Sequence, residues 1–179
     1  MISLKDLELK LIAELMKNSR RSDRQLAKAI GISQPTVSRM IKNLEKQGVI
    51  KEYTVIPDFT RLGLNLLTVT LVKHRRDLDR EDATRAERKV IENVEAGISP
   101  QVVMVERGLG FGYDSVIISY EKDYSDFTRL LDRIRSYEHV QTSETQSFII
   151  DLNDKVHYRS FTYSTLAKYL LTMMKQEKE

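Results

Sequence analysis

Cysteine is absent from the 179 residues, which excludes disulfides, thiolate zinc centres and cysteine nucleophiles. No apolar run approaches the roughly 18 residues of a membrane span, and the opening Met1-Ile2-Ser3-Leu4-Lys5-Asp6 lacks the basic flank and long apolar core of a secretion signal. A soluble cytoplasmic protein is expected. Length is limited as well: a large enzyme barrel typically needs about 250 residues, whereas this chain has room for one large domain or two small ones. Histidine, the usual acid or base near neutral pH, occurs only as His74, His139 and His157. None has a second catalytic partner at a recognisable spacing, so no enzyme activity, cofactor or metal site is expected. Net charge is scarce too, because 29 Lys and Arg face 26 Asp and Glu, leaving +3. That total hides its distribution. Residues 1–60 hold 11 basic and 7 acidic side chains (+4), while the remainder holds 18 and 19 (−1). The excess positive charge sits in the first third, where a nucleic-acid module is to be sought.

What is present there has helical periodicity. Leu4, Leu7, Leu11, Ile12, Leu15 and Met16 recur at spacings of three and four, an amphipathic first helix with Ser3 and Asp6 at its start. Ser22 and Gln25 have the spacing of a capping box and open a second helix over about Asp23 to Ile30. Gly31 ends it with the sharp turn that glycine adopts cheaply. Ser33 then caps a third helix, with Pro35 tolerated in its first turn, and Gly48 closes it. Ala27 sits where two helices cross closely, and Ile30, Ile32, Val37, Met40, Ile41 and Leu44 form a continuous apolar face.

Two short helices joined by a glycine-containing turn form a helix-turn-helix, whose second helix enters the DNA major groove. Seven basic residues against two acidic ones, Asp23 and Glu45, lie between Arg20 and Lys46. Gln34 and Arg39 suit base edges, because amide and guanidinium groups make paired hydrogen bonds to adenine and guanine. Arg20, Arg21, Arg24, Ser33, Thr36, Ser38 and Lys42 suit phosphates. Three-helix modules of this spacing also serve as protein-binding domains, and that alternative stays open here. Val49 to Pro57, rich in β-branched and aromatic residues, reads as a strand.

The runs Leu4 to Ile12, Arg21 to Ala27, Ile30-Gly31-Ile32-Ser33, Val37-Ser38-Arg39 and Leu44 to Lys51, continuing to Tyr53 and Leu62-Gly63, resemble the leucine-responsive regulator and AsnC family. The resemblance implies a dimeric or higher-order transcription regulator whose carboxy-terminal ferredoxin-like domain oligomerises and often binds an amino acid between subunits, near a hairpin. It divides the chain into a DNA-binding domain over residues 1–56, a linker over 57–63, an oligomerisation and effector domain over 64–152 and a helical extension over 153–179.

The remainder reads the same way independently. A strand over Leu64 to Val72 precedes a helix over Ala83 to Ala96. Strands over Val102 to Arg107 and Ser115 to Tyr120 flank Gly108-Leu109-Gly110-Phe111-Gly112 as a hairpin. A helix over Asp126 to Ile134 and a strand within Val140 to Leu152 complete the βαββαβ order. The fold class is therefore α+β: a helix-turn-helix domain joined to a ferredoxin-like domain, with an extra carboxy-terminal helix. Gly110, Gly112 and Asp114 are the effector-site candidates, although three residues before Asp114, where the family pattern has glycine, stands Phe111. Glycines also serve tight hairpins without any ligand. Phe161, Tyr163, Leu166, Ala167, Leu170, Leu171, Met173 and Met174 make the tail apolar and helical, packed on its own sheet or on a neighbour. The expected partners are double-stranded DNA, further copies of the chain and a small-molecule effector, with no membrane. Sirohaem decarboxylases resemble the same two-module arrangement, so an enzyme is the alternative.

Overall fold

In a computed structural model the protein is described over residues 5–75, 80–97, 99–137, 140, 144–156 and 161–176. The chain divides into two compact units, Met1–Ile56 with His157–Glu179 and Pro57–Val156.

The first unit contains α1 (Asp6–Lys17), α2 (Asp23–Ile30), α3 (Gln34–Lys46) and, from the far end of the sequence, α6 (Ser164–Gln176). The expected cap Ser3 lies outside the described residues. The start of α1 is instead closed by the backbone N–H of Lys5, which donates to Glu8 Oε2 at 2.8 Å. The capping box of α2 forms as its spacing predicts: Ser22 N–H donates to Gln25 Oε1 at 2.9 Å and Gln25 N–H to Ser22 Oγ at 3.3 Å. Gly31, at φ 76°, turns the chain into α3. Ser33 precedes α3, but its hydroxyl bonds Thr36 Oγ1 at 2.7 Å instead of capping a backbone N–H. Leu11, Leu15, Leu26, Ala27, Val37 and Leu44 are the buried centre, with Ile30, Ile32, Met40 and Ile41 packed around them.

One expectation is corrected here. Val49 to Pro57 belongs to no strand. Its β propensity is real, yet a strand needs a laddered partner, and none pairs with it among the described residues. The helical tail forms as expected, within the first unit. α6 lies against α1, because α1 has two buried faces: Leu11 and Leu15 face the centre, while Ala13, fully buried, lies on the opposite side. Ala167 is equally buried in α6. Side chains this small let two helices approach closely.

The second unit contains β1 (Leu66–Val72), α4 (Arg80–Glu95), β2 (Val102–Gly110), β3 (Tyr113–Glu121), α5 (Tyr124–Arg135) and β4 (Gln146–Asp151). The sheet is antiparallel in the order β2-β3-β1-β4, the split βαβ arrangement that the element order predicted. The last strand is shorter than Val140 to Leu152, and Val140 instead makes an isolated bridge with His74. On one face of the sheet Val72 packs with Leu130 and Ile134 of α5 and with Val140. Leu67, Val69, Leu71, Val116, Ile118 and Ile150 alternate onto the other face, where they are half-buried or exposed, and Phe148 beside them is 70% exposed. No described helix is long and apolar enough to cross a membrane.

Candidate nucleic-acid interface

α3 is held against α2 by apolar packing and by one polar tie, in which Ser38 Oγ donates to the Asp23 carboxylate. Ser38 was expected at a phosphate, but its hydroxyl is engaged within the protein. The same tie removes Asp23 from the set of exposed acids. Along α3, Arg39, Lys42 and Lys46 are all exposed, and steps of three and four residues put them in one stripe opposite Val37 and Leu44. The other acid, Glu45, is turned aside, since Tyr53 Oη donates to Glu45 Oε1 at 3.0 Å. Partial burial, reinforced by Glu45, pushes the Tyr53 hydroxyl up to about 12, so it stays protonated as a donor. Both acids counted between Arg20 and Lys46 are thus internally partnered, and the outward face of α3 is basic. Lys46 and Tyr53 were absent from the sequence-based residue set. Lys46 is legible from its spacing to Arg39 and Lys42; Tyr53 acts through a contact eight residues distant that no local pattern announces.

The remaining residues separate into free and engaged groups. Gln34, Arg20, Arg24 and Ser33 are exposed, and Thr36 is half-buried beside Ser33. Arg21 is a partner of Glu14, which also pairs with Lys17. Those cations, Lys17 foremost, hold the Glu14 carboxyl below its ordinary value. Arg21 therefore ties the α1–α2 connection to α1.

At the hairpin, Gly110 pairs with Tyr113, and the two residues between them, Phe111 (φ 53°) and Gly112 (φ 83°), both adopt left-handed conformations. This is the turn that matches strand twist, and glycine is favoured in it for that reason. Phe111 is 97% exposed. Asp114 Oδ2 accepts the backbone N–H of His74 at 2.9 Å, while His74 Nε2 lies 3.2 Å from Ser115 Oγ. His139 and His157 lie outside the described residues. Among the described residues, no group of three His, Asp or Glu is arranged to hold a metal.

A winged helix-turn-helix DNA-binding family model matches residues 4–51. The HTH-type transcriptional regulator PH0061 of Pyrococcus horikoshii is 31% identical over 157 residues, covering 84% of this chain and 99% of its own. The chain belongs to the Lrp/AsnC family of transcriptional regulators. LrpC of Bacillus subtilis is 41% identical over 63 residues, 35% of this chain and 44% of its own. Its structure superimposes with a TM-score of 0.67 at 20% identity, covering 88% of this chain and all of that one. The L-Met complex of the regulator NMB0573 from Neisseria meningitidis has the same TM-score at 24% identity, covering 92% and 99%. These two structures share its fold. This Lrp/AsnC protein is a DNA-binding transcriptional regulator, and the basic stripe of α3 lies on the second helix of its helix-turn-helix.

Proposed function

We propose that the protein regulates transcription as a dimer or higher oligomer that inserts α3 of each copy into successive major grooves. The carrying observation is the exposed stripe of Arg39, Lys42 and Lys46, from which Ser38 and Tyr53 draw away the neighbouring carboxylates. Gln34 and Arg39 read base edges; Lys42, Lys46, Arg20, Arg24, Ser33 and Thr36 contact phosphates. Dimerisation buries the second face of the sheet, since a sheet with an apolar face must cover it, and Phe148 and Ile150 extend that face onto β4. Two α3 helices related by a two-fold axis then meet half-sites about 34 Å apart, or a multiple of it. Sedimentation of the free protein and footprinting on its own upstream region test this together. Two-fold stoichiometry and protection of a near-palindromic site are expected; a monomer, or binding that salt leaves unchanged, refutes it.

The name of the NMB0573 complex supports a second element, modulation by a small molecule such as an amino acid. Gly110, Gly112 and Asp114 are the proposed surface for it, at the hairpin. Titration of the protein–DNA complex with the twenty amino acids checks it, and a DNA affinity indifferent to all of them removes that element.

A further inference from the structure

We infer that Phe111, at the tip of the β2–β3 hairpin, docks into the apolar cavity under the helices of a second copy of the chain, joining two copies by a contact other than their uncovered sheet faces. Phe111 is 97% exposed and holds φ 53° beside Gly112 at φ 83°. A left-handed conformation is costly for an L side chain, and asparagine or glycine would suit this turn better. A large apolar side chain held strained and fully solvated is poor turn chemistry. It is good anchor chemistry, because backbone strain collects where it serves a function and aromatic rings supply most anchors at protein contacts.

The same unit carries a socket of matching size. Val72, Val90, Ile91, Val105, Ile117 and Ile134 wall a cavity of about 310 Å³. An apolar cavity of about 150 Å³ already accepts benzene, so a phenyl ring enters this one with room to spare. The cavity opens along the edge strand β2, where Ile91 and Val105 are 57% and 38% exposed. Its polar lining groups are engaged: His74 Nε2 lies 3.2 Å from Ser115 Oγ, Tyr137 Oη accepts from Asn93 Nδ2 at 3.0 Å, and Arg107 has a partner within the protein. Glu106, exposed at the rim, disfavours an anion. What the cavity has left to offer is hydrocarbon.

Phe111 cannot fill the cavity of its own chain. Gly110 pairs with Tyr113 across a two-residue turn, so the hairpin stays paired to its tip. At about 3.3 Å per residue, Phe111 stands roughly 10 Å beyond the pairing of Arg107 with Ser115. Two hairpins laid antiparallel about a two-fold axis bring each tip to the other's cavity mouth, and a reciprocal contact of this kind closes on itself. The cavity lies on the helix-covered face that Val72, Ser115 and Ile117 share, opposite Phe148 and Ile150. This contact and burial of the uncovered face therefore coexist, and copies joined through both form an assembly larger than a dimer.

The contact depends neither on DNA binding nor on the uncovered sheet faces. The test mixes full chain carrying the photo-cross-linker p-benzoylphenylalanine at position 111 with isotopically heavy parent chain, irradiates it and reads the linked peptides by mass spectrometry, alongside sedimentation velocity at several concentrations. Links from position 111 to the heavy copy's cavity mouth, around Ile91 and Val105, are expected, with a larger assembly whose share grows with concentration. Phe111→Asn, which relieves the turn in the dissociated chain but lacks the ring, and Ile91→Lys, which sets a charge at the exposed mouth, should each weaken that assembly at least about tenfold. Circular dichroism establishes their folding. Phe148→Lys, on the opposite face, should keep the links even where it separates the sheets, so failure here is distinguishable from failure of the dimer proposed above. The inference is overturned if no links join two copies, if they land away from the cavity, or if a folded Phe111→Asn chain assembles as the parent does.

Discussion

Glu121→Gln should stabilise the protein at neutral pH and leave its stability unchanged in acid. Glu121, at the end of β3, is fully buried. Its Oε1 accepts from Ser119 Oγ and from Thr68 Oγ1, the latter at 3.1 Å, while Oε2 has no partner among the described residues. Burial lifts the carboxyl above its ordinary value near 4.5; the two hydroxyls oppose the shift, and Asp126 adds to it. Below the unfolded-state value both states hold the proton, so the native state carries no charge penalty. As pH rises from there through the raised native value, the unfolded chain releases its proton first and stability falls. A buried polar group left unpaired costs about 1–3 kcal/mol, more when charged. Glutamine keeps an acceptor for the two hydroxyls and carries no charge, so about 1–3 kcal/mol of stability should appear at neutral pH. Urea unfolding followed by far-ultraviolet circular dichroism is the assay, since the chain has no tryptophan. Repeating it from about pH 4 to pH 8 gives the difference between variant and parent across the titration. A variant less stable at neutral pH, or a difference independent of pH, refutes the reasoning.

Three further outcomes follow from the same geometry. Phe111→Asn should raise thermal stability by about 1 kcal/mol, because asparagine tolerates the left-handed turn that the phenylalanine occupies at φ 53°; a lower melting temperature contradicts it. Ala13→Leu should cost about 1–3 kcal/mol in the full chain through overpacking between α1 and α6, and far less in a chain ending at Val156. Equal costs in both chains would mean that α6 does not press on that face. Tyr53→Phe frees the Glu45 carboxylate beside the basic stripe and should weaken DNA binding at low salt, with the loss shrinking as salt screens it; fluorescence anisotropy at several salt concentrations reads this.

The helix-turn-helix was legible in the sequence because its determinants are local. Ser22 and Gln25 stand at a capping spacing, Gly31 sits where the chain must turn, and Ala27 is the small residue at a crossing. The βαββαβ order was legible from periodicity, and the glycines of the hairpin from turn chemistry. What escaped depends on contacts distant in sequence. The second buried face of α1 is marked by a single alanine, too weak a signal to announce that a helix more than 150 residues away covers it. Val49 to Pro57 has strand propensity, but propensity supplies no partner. In the candidate site, exposure of Arg39 and Lys42 followed from helical spacing. The engagement of Ser38 by Asp23, of Arg21 by Glu14 and of Glu45 by Tyr53 did not, because each joins two elements whose mutual placement only the fold provides. Those three contacts sharpen the candidate site: they engage two of the residues expected at phosphates and give both nearby carboxylates partners within the protein.

In the proposed function Arg39, Lys42 and Lys46 neutralise DNA phosphates or reach base edges as one stripe. The most direct measurement is the salt dependence of binding to the protein's own upstream region, for the parent chain and for Lys42→Ala with Lys46→Ala. Each lost phosphate contact lowers the slope of log affinity against log salt by about 0.9. A slope shallower by about 1.8 is expected for the double variant, with folding intact by circular dichroism. An unchanged slope in a folded double variant would contradict it.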